Sequence, residues 1–446
     1  MNLSPAFTLS CTLLKRTTSR CLVCHAACPA EVWKEGWPRA KVFLVRRCAE
    51  HGEQPVCISS DARFYWLASG KPENACCSGN ACCAEDGAVR GTLGRNADPG
   101  ASLGVQEKLS TCLALIEIVN SCNLACPTCY ADSPLGVGGK VDAVPLAELQ
   151  ARIQGVVDRK GGIEILQLSG GEPTLHPQFF ELLAWLQAHP KIDYVLLNTN
   201  GVRIAQDEAF AAELGRARRY GHFQLYLQFD GPQLAGQRAL RGADLRATRE
   251  RAMTVTPENL AHLWETIEFG LRFDHVRGVS FQPFFTSGRN GGAETTRLNT
   301  ADIILGAVEQ SGGKLRYEDF TPLPCGDPNC ATIGYLLKIG GMTRSVSDFI
   351  DFASVQGFLR DKVRYSLEDL MKCGCESEPL GELLKQFELD ERNTFRLFIK
   401  PFMDAGSWDE DRIDRCCTHV IRPDGKLDSF CRYYSGFPEV KSIARG

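Results

Sequence analysis

Between residues 113 and 285 the chain alternates two hydrophobic patterns. Short apolar runs, LALIEIV (113–119), IEILQLS (163–169), YVLLNT (194–199), FQLYLQF (223–229) and VSFQPFF (279–285), have the length and residue types of buried strands. Between them, PLAELQARIQGVVDRKG and HPQFFELLAWLQAHP carry apolar residues at helical spacing. Regular alternation of strand and helix predicts a parallel α/β architecture. A cysteine-rich loop leaves the first strand and polar loops leave several others. That favours a barrel-like sheet, with its chemistry at the C-terminal strand ends, over a doubly wound one.

The flanking segments read differently. Before residue 70, AEVWKEG and KVFLVRR form a hairpin pattern turning near Gly36–Pro38, set between CLVC (Cys21, Cys24) and RRCAEHGE (Cys48, His51). Two knuckles joined by a hairpin describe a metal ribbon. Cys21, Cys24 and Cys48 are three ligands, and the fourth is His51 or the rival Cys28; zinc or iron accepts such a set. Residues 71–107 are rich in Gly and Ala, lack periodicity and hold Cys76, Cys77, Cys82 and Cys83. From residue 321 the chain adds Cys325 and Cys330 in PLPCGDPNC, Cys373 and Cys375 in MKCGC, and Cys416, Cys417 and Cys431 in RCCTHVIRPDGKLDSFC. A hairpin over Asp424–Gly425 returns Cys431 towards Cys416 and Cys417. The expected segments are therefore 1–70, 71–107, 108–320 and 321–446.

Composition sharpens this in two ways. Among 446 residues there are 21 cysteines, an odd number in a chain that reads as cytoplasmic, since the basic residues of MNLSPAFTLSCTLLKRTTSR follow the apolar stretch instead of preceding it. That argues against a disulfide scaffold and for metal or iron–sulfur sites. The charge balance, 50 Lys and Arg against 54 Asp and Glu, gives −4 and no basic excess for nucleic acid. No apolar run approaches the ~20 residues of a membrane helix.

The sharpest local feature is EIVNSCNLACPTCYADS, where Cys122, Cys126 and Cys129 are spaced CxxxCxxC directly after a strand. One compact loop of this spacing can point three thiolates at one cubic cluster, which would leave one iron open. LSGGEPTLHP follows the next strand. Gly170 and Gly171 allow a tight turn, Glu172 can receive an amine and Pro173 stiffens the exit.

These motifs, in this order, resemble the radical S-adenosylmethionine superfamily. The resemblance implies a partial (β/α)6 TIM-like barrel and a [4Fe–4S] cluster on Cys122, Cys126 and Cys129. S-adenosylmethionine then chelates the open iron and is cleaved reductively to a 5′-deoxyadenosyl radical. It places Tyr130 beside the adenine and Gly170, Gly171 and Glu172 at the methionyl amine. Asn198 or Asn200 and Gln228 or Asp230 are at the ribose or carboxylate, with Gln282 a weaker candidate. A ferredoxin or flavodoxin supplies the electron.

CLVCHAACPAEVWKE, TCLALIEIV, PLPCGDPNC and DRCCTHVIRPDGKLDSFC are further similar to a branch containing archaeal tetraether lipid synthases and related methanogen proteins once assigned to pterin methylation. That likeness implies a mononuclear N-terminal metal and one or two auxiliary [4Fe–4S] clusters, including a C-terminal cluster domain. Cys77, Cys82, Cys83 and Cys112 are candidates for one cluster. Cys325, Cys330, Cys416, Cys417 and Cys431 are five candidates for the four places of another. The chain departs from the branch before Cys112, where CCSGNACC and a long Gly-rich gap replace a CPxxCGxC segment. The implied reaction is hydrogen abstraction from an unreactive carbon, leading to C–C bond formation on a lipid-like substrate with peripheral membrane contact. The alternatives are methylation or alkyl transfer to a pterin-like or other small molecule, and peptide maturation.

Overall fold

The computed structural model describes residues 11–36, 39–67, 107, 109, 111–217, 222–242, 253–290, 297–322, 326–339, 341–349, 393–435 and 437. The first element is an antiparallel meander of β1 (Thr12–Arg20), β2 (Ala27–Glu35), β3 (Lys41–Cys48) and β4 (Gly52–Ser59). Alternation along β2 and β3 puts Ala30, Val32, Val42 and Leu44 in one small core. The expected hairpin is β2–β3. The outer strand β1 carries mostly polar sequence, and the outer strands add Leu14 of β1 and Ile58 of β4 to this small core.

The central segment runs β5 (Leu113–Val119), β6 (Thr128–Cys129), α1 (Leu146–Lys160), β7 (Ile165–Gly170), α2 (Phe179–Ala188), β8 (Val195–Thr199), α3 (Val202–Gln206), α4 (Glu208–Ala217) and β9 (Phe223–Leu227). It continues through α5 (Leu234–Arg241), β10 (Met253–Val255), α6 (Leu263–Leu271), β11 (Gly278–Pro283), β12 (Arg289–Asn290) and α7 (Thr300–Gln310). Then follow β13 (Thr321–Pro322), β14 (Thr332–Ile339), β15 (Met342–Ser345), β16 (Thr394–Ile399), β17 (Thr418–Ile421) and β18 (Leu427–Ser429). The five strands read from the sequence are present, shifted by a residue or two at their ends.

They do not form one continuous sheet. The parallel strands β5, β7, β8 and β9 lie in a sheet of order β18-β17-β5-β7-β8-β9, while β10 and β11 belong to a second sheet, β10-β11-β16-β14-β13, with β15 beside β14. The barrel is thus partial, two facing sheets with no ladder between β9 and β10 among the described residues. The core also does not stop near residue 320. Parallel β16 pairs with β11, and parallel β17 pairs with β5, so residues beyond 320 complete both sheets. Their sequences allow it: TFRLFI buries Phe395, Leu397 and Ile399 at every second position.

One face of β5 (Ala114, Ile116, Ile118) packs with Leu166, Leu168 and Leu197 against Leu149, Ile153 and Val156 of α1 and Leu182, Leu183 and Leu186 of α2. Each such fully buried aliphatic side chain contributes about 1.5–3 kcal/mol. The helix α1 ends at Gly161, whose φ of 94° is the left-handed cap conformation. The opposite strand faces, including Leu115, Gln167, Asn198, Tyr226, Gln282 and Phe398, surround a cavity of about 530 Å³ between the sheets. Polar residues therefore alternate with apolar ones because the inward face lines a cavity instead of filling a core.

The meander docks on the C-terminal segment. Lys15 Nζ lies 2.7 Å from Asp409, Ser19 Oγ donates to the Trp408 carbonyl at 2.6 Å and Arg46 Nη2 to that of Gly406 at 2.7 Å. Among the described residues no helix is long and apolar enough to cross a membrane.

Candidate active site

The cysteine loop leaves β5 and is held at several points. The Cys122 N–H donates to the Pro134 carbonyl at 2.9 Å, its carbonyl accepts from Gly136 N at 2.9 Å, and β6 pairs antiparallel with β12 through Cys129 and Arg289. The GGE turn lies directly on the loop's base. Gly171 N donates to Val119 O at 2.7 Å and Glu172 N to Ser121 O at 3.1 Å. Gly170 has φ 118°, and a Cβ on it or on Gly171 would collide with the Val119 or Ser121 carbonyl oxygen. Only glycine permits that approach.

Cys122, Cys126 and Cys129 line a pocket of about 110 Å³ with Gly170, Gly171 and Glu172. Tyr130, Asn198, Gln228 and Gln282 line both this pocket and the larger cavity. Three soft thiol donors on one loop, with glycines opposite, fit an iron–sulfur cluster with an open position. Burial pushes the Cys122 thiol up to about 12 and raises Cys126 as well. Ionised sulfur there is stable only against positive charge, which an iron cluster provides.

The residues expected at the cofactor separate into wall and support. Asn198 and Asn200 both line the pocket, as does Gln228. Asn200 Nδ2 donates to Asn123 Oδ1 at 2.7 Å, Asn198 Nδ2 to Ser169 Oγ at 3.2 Å, and Gln228 Nε2 to Asn198 Oδ1 at 3.4 Å. Asp230 is fully buried behind this wall, at φ 60°, and is engaged by Arg241 and by Thr254 N at 3.0 Å. Arg241 Nη2 also donates to Gln228 Oε1 at 2.7 Å, and the guanidinium interacts with Cys126. Glu172 is 1% exposed. Its Oε1 accepts from Thr174 N (3.2 Å), Thr174 Oγ1 (2.6 Å) and Thr199 Oγ1 (2.5 Å), and its Oε2 from Asn200 N (2.8 Å). The carboxylate thus ties the turn to the end of β8.

Tyr130 places its hydroxyl 3.4 Å from Ser169 Oγ, with the Tyr434 ring 4.8 Å away. Tyr433 and Tyr434 donate to the buried Glu117 carboxylate at 3.1 and 2.7 Å. Burial raises that carboxyl above its ordinary value. Arg241, Glu117 and Tyr434 were not legible in the sequence; Arg241 is one of two arginines in RALRG. Replacing Arg241 by Gln leaves Asp230 as an uncompensated buried charge and should cost about 3–5 kcal/mol. Thermal unfolding reads this, and adding Asp230→Asn should restore much of the loss.

The ribbon holds a second site. Cys24 Sγ lies 3.8 Å from Cys48 Sγ, and His51 Nδ1 lies 3.5 Å from the sulfurs of both Cys21 and Cys48. All four ligand atoms fall within 4.8 Å of one another. Tetrahedral zinc, with Zn–S about 2.3 Å and Zn–N about 2.0–2.1 Å, sets sulfurs ~3.8 Å apart and sulfur to nitrogen ~3.6 Å. The geometry fits His51 as the fourth donor, while Cys28 packs beside Cys21 and Cys48. Burial pushes the Cys21 thiol up, but the Cys24 and Val23 N–H groups and the neighbouring thiols outweigh it and leave it at about 6. Gln54 Nε2 lies 3.5 Å from Cys21 Sγ. Gln54→Ala should therefore weaken metal binding by about 10–100-fold, and Cys24→Ser by far more, as read by competition with a chelator.

In the C-terminal segment Cys330, Cys416, Cys417 and Cys431 lie close enough to interact electrostatically. Burial pushes Cys330 up to about 12, and Met403 N donates to Cys431 Sγ at 3.3 Å. The buried Arg412 Nη2 lies 3.7 Å from Cys330 Sγ. Cys112 N donates to the Cys417 carbonyl at 2.9 Å, so Cys112, just before β5, lies beside this group. Cys76, Cys77, Cys82, Cys83, Cys325, Cys373 and Cys375 lie outside the described residues.

Comparison with known proteins agrees with this layout. The profile of the Radical SAM superfamily matches residues 116–255, and that of the HMPTM N-terminal zinc ribbon domain matches residues 13–60. The chain is 26% identical, over an alignment of 501 positions, to a 7,8-dihydro-6-hydroxymethylpterin dimethyltransferase of Methanocaldococcus jannaschii, which covers 94% of this chain and 93% of that one. Shorter matches include a GTP 3′,8-cyclase of Chlorobaculum tepidum, 32% identical over 22% of this chain and 29% of that one. The mycofactocin maturase MftC of Mycobacterium ulcerans is 33% identical over 32% of this chain and 35% of that one.

Proposed function

The chain belongs to the radical S-adenosylmethionine superfamily, and from that premise we propose that it methylates or alkylates a small heterocyclic molecule of pterin type. The cluster and S-adenosylmethionine, when bound at Cys122, Cys126 and Cys129, supply a 5′-deoxyadenosyl radical; the protein's own residues position, shield and select. Gly170 and Gly171 bring the backbone of the turn against the cysteine loop. Asn198, Gln228 and Gln282, which belong to both pockets, form the passage from the radical to the substrate.

The observation that carries the reading is the group of amide side chains set into the otherwise largely apolar cavity lining. Gln167, Asn198, Gln224, Gln228 and Gln282 each offer a donor and an acceptor, the complement of a heterocycle edge. A lipid chain could not use the donor and acceptor positions that remain on them once Asn198 bonds Ser169, Gln228 bonds Asn198, Gln282 bonds Tyr226 and Gln224 accepts from Tyr194. The pterin dimethyltransferase likeness supports the same reading because it runs through the ribbon as well as the core. The maturase likeness, which favours peptide maturation, covers about a third of each protein. The lipid-coupling expectation has in its favour the apolar residues of the same lining, among them Leu113, Leu115, Ile165 and Leu225, and the aromatic group of Phe285, Phe402 and Phe430. We also take Cys330, Cys416, Cys417 and Cys431 as ligands of an auxiliary [4Fe–4S] cluster, and a ferredoxin or flavodoxin as electron donor.

The test is anaerobic turnover of reconstituted protein with dithionite, methyl-deuterated S-adenosylmethionine and 7,8-dihydro-6-hydroxymethylpterin, followed by mass spectrometry. Labelled methyl in the pterin, together with 5′-deoxyadenosine, is the expected result. Deoxyadenosine without pterin product would return the substrate to the peptide or lipid classes.

A further inference from the structure

The described lining of the large cavity contains three cations, Arg277, Arg396 and Lys400, and no Asp or Glu. Two of the cations share one level. Arg277 immediately precedes β11, Arg396 pairs with Gly278 in the parallel ladder, and Arg396 N donates to the Arg277 carbonyl at 2.8 Å. This level is the N-terminal end of the strands, opposite the cysteine loop. From Gly278 to Gln282, which lines the radical pocket, is four residues, about 13 Å at the ~3.3 Å rise of a parallel strand. Lys400 stands at the other level, just after β16, with Nζ donating to Thr418 Oγ1 at 2.7 Å. An ion pair partner for Arg396 or Lys400 is absent among the described residues.

A cavity with a net positive lining and a low-dielectric wall favours an anion more strongly than bulk water does. Guanidinium groups in particular match the flat fork of a carboxylate or phosphate. We propose that the substrate is an elongated heterocycle carrying an oxyanion, a phosphate or carboxylate, seated by Arg277 and Arg396. Its ring lies higher, among the amides, and presents a carbon to the radical pocket. This rests on the small-heterocycle reading above and adds the anionic end that sets the register of the ring against the radical.

The test measures binding to the full reconstituted chain with S-adenosylmethionine and no reductant, using pterin fluorescence. Three probes are compared: 6-hydroxymethylpterin, its diphosphate ester and pteroylglutamate. At least one anionic probe should bind about tenfold or more tighter than the alcohol, and which one does so identifies phosphate or carboxylate. Arg396→Gln and Arg277→Gln should erase that advantage while alcohol binding changes by less than about twofold; Arg396→Lys should keep part of it. Iron content and circular dichroism confirm that the variants fold. Equal binding of all three probes, or equal weakening of all three by the variants, overturns the proposal. If no pterin binds, calorimetry with inorganic tripolyphosphate decides. Arginine-dependent binding then keeps the anion seat and removes the pterin, and no binding removes the seat itself.

Discussion

Replacing Cys126 by alanine should abolish 5′-deoxyadenosine formation, a fall beyond about 10³-fold and larger than the ~10–100-fold that loss of an outer partner costs a metal site. The side chain is 8% exposed and points into the pocket that Cys122 and Cys129 also line. Alanine removes the sulfur and leaves the loop's backbone ties through Cys122 and Cys129 in place. Arg241 keeps its Asp230 and Gln228 partners, so the local fold has no reason to collapse. The loss should therefore be one of iron and cleavage, not of folding. Iron and sulfide analysis with mass spectrometry of the turnover mixture reads both. Cys417→Ala is the informative contrast: iron should fall while cleavage at the Cys122 site persists in part. Cleavage retained by Cys126→Ala would remove this cysteine from the ligand set.

Much of the scaffold was legible because the signal is local. Leu113–Val119 is a strand by its own composition, and α1 by its own periodicity. The hairpin over Asp424–Gly425 was readable from turn chemistry, and Gly425 takes the positive φ, 76°, that such a turn needs. The division into two sheets was not legible, because nothing in FQLYLQF or in β10 states which neighbour each will find. Nor was the recruitment of β16 and β17 into the core, a pairing between segments more than 100 residues apart in the chain for β16 and about 300 for β17. In the site, sequence spacing located the cysteine loop and the GGE turn. It could not choose between Gln228 and Asp230, since both follow β9 and only three-dimensional placement puts Gln228 on the pocket wall and Asp230 buried behind it, with Arg241 holding both.

Glu172→Ala should cost about 3–5 kcal/mol, because it strips the acceptor from four donors in a buried turn. For a chain of 446 residues, with an unfolding entropy of about 2.1 cal/mol/K per residue, that lowers the melting temperature by about 1 °C per kcal/mol, so a fall of about 3–5 °C is expected. Thr199→Val removes one donor, the contact at 2.5 Å, and should show a smaller fall. The two changes should not add, since they break the same contact. Stability alone does not separate this role from the amine contact that the sequence motif implies, but affinity does. Glu172→Gln keeps one acceptor oxygen and turns an NH2 towards groups that donate, so it destabilises the turn while preserving its shape. Measured at low temperature, where the variant is folded, its S-adenosylmethionine affinity should stay within about threefold of the parent if the carboxylate serves the turn, since a lost charged contact to the amine would remove about tenfold or more. A large affinity loss with an unchanged melting temperature would reverse the assignment and give Glu172 to the cofactor. The geometry favours the turn, because the Thr174, Thr199 and Asn200 donors already engage both oxygens of the carboxylate.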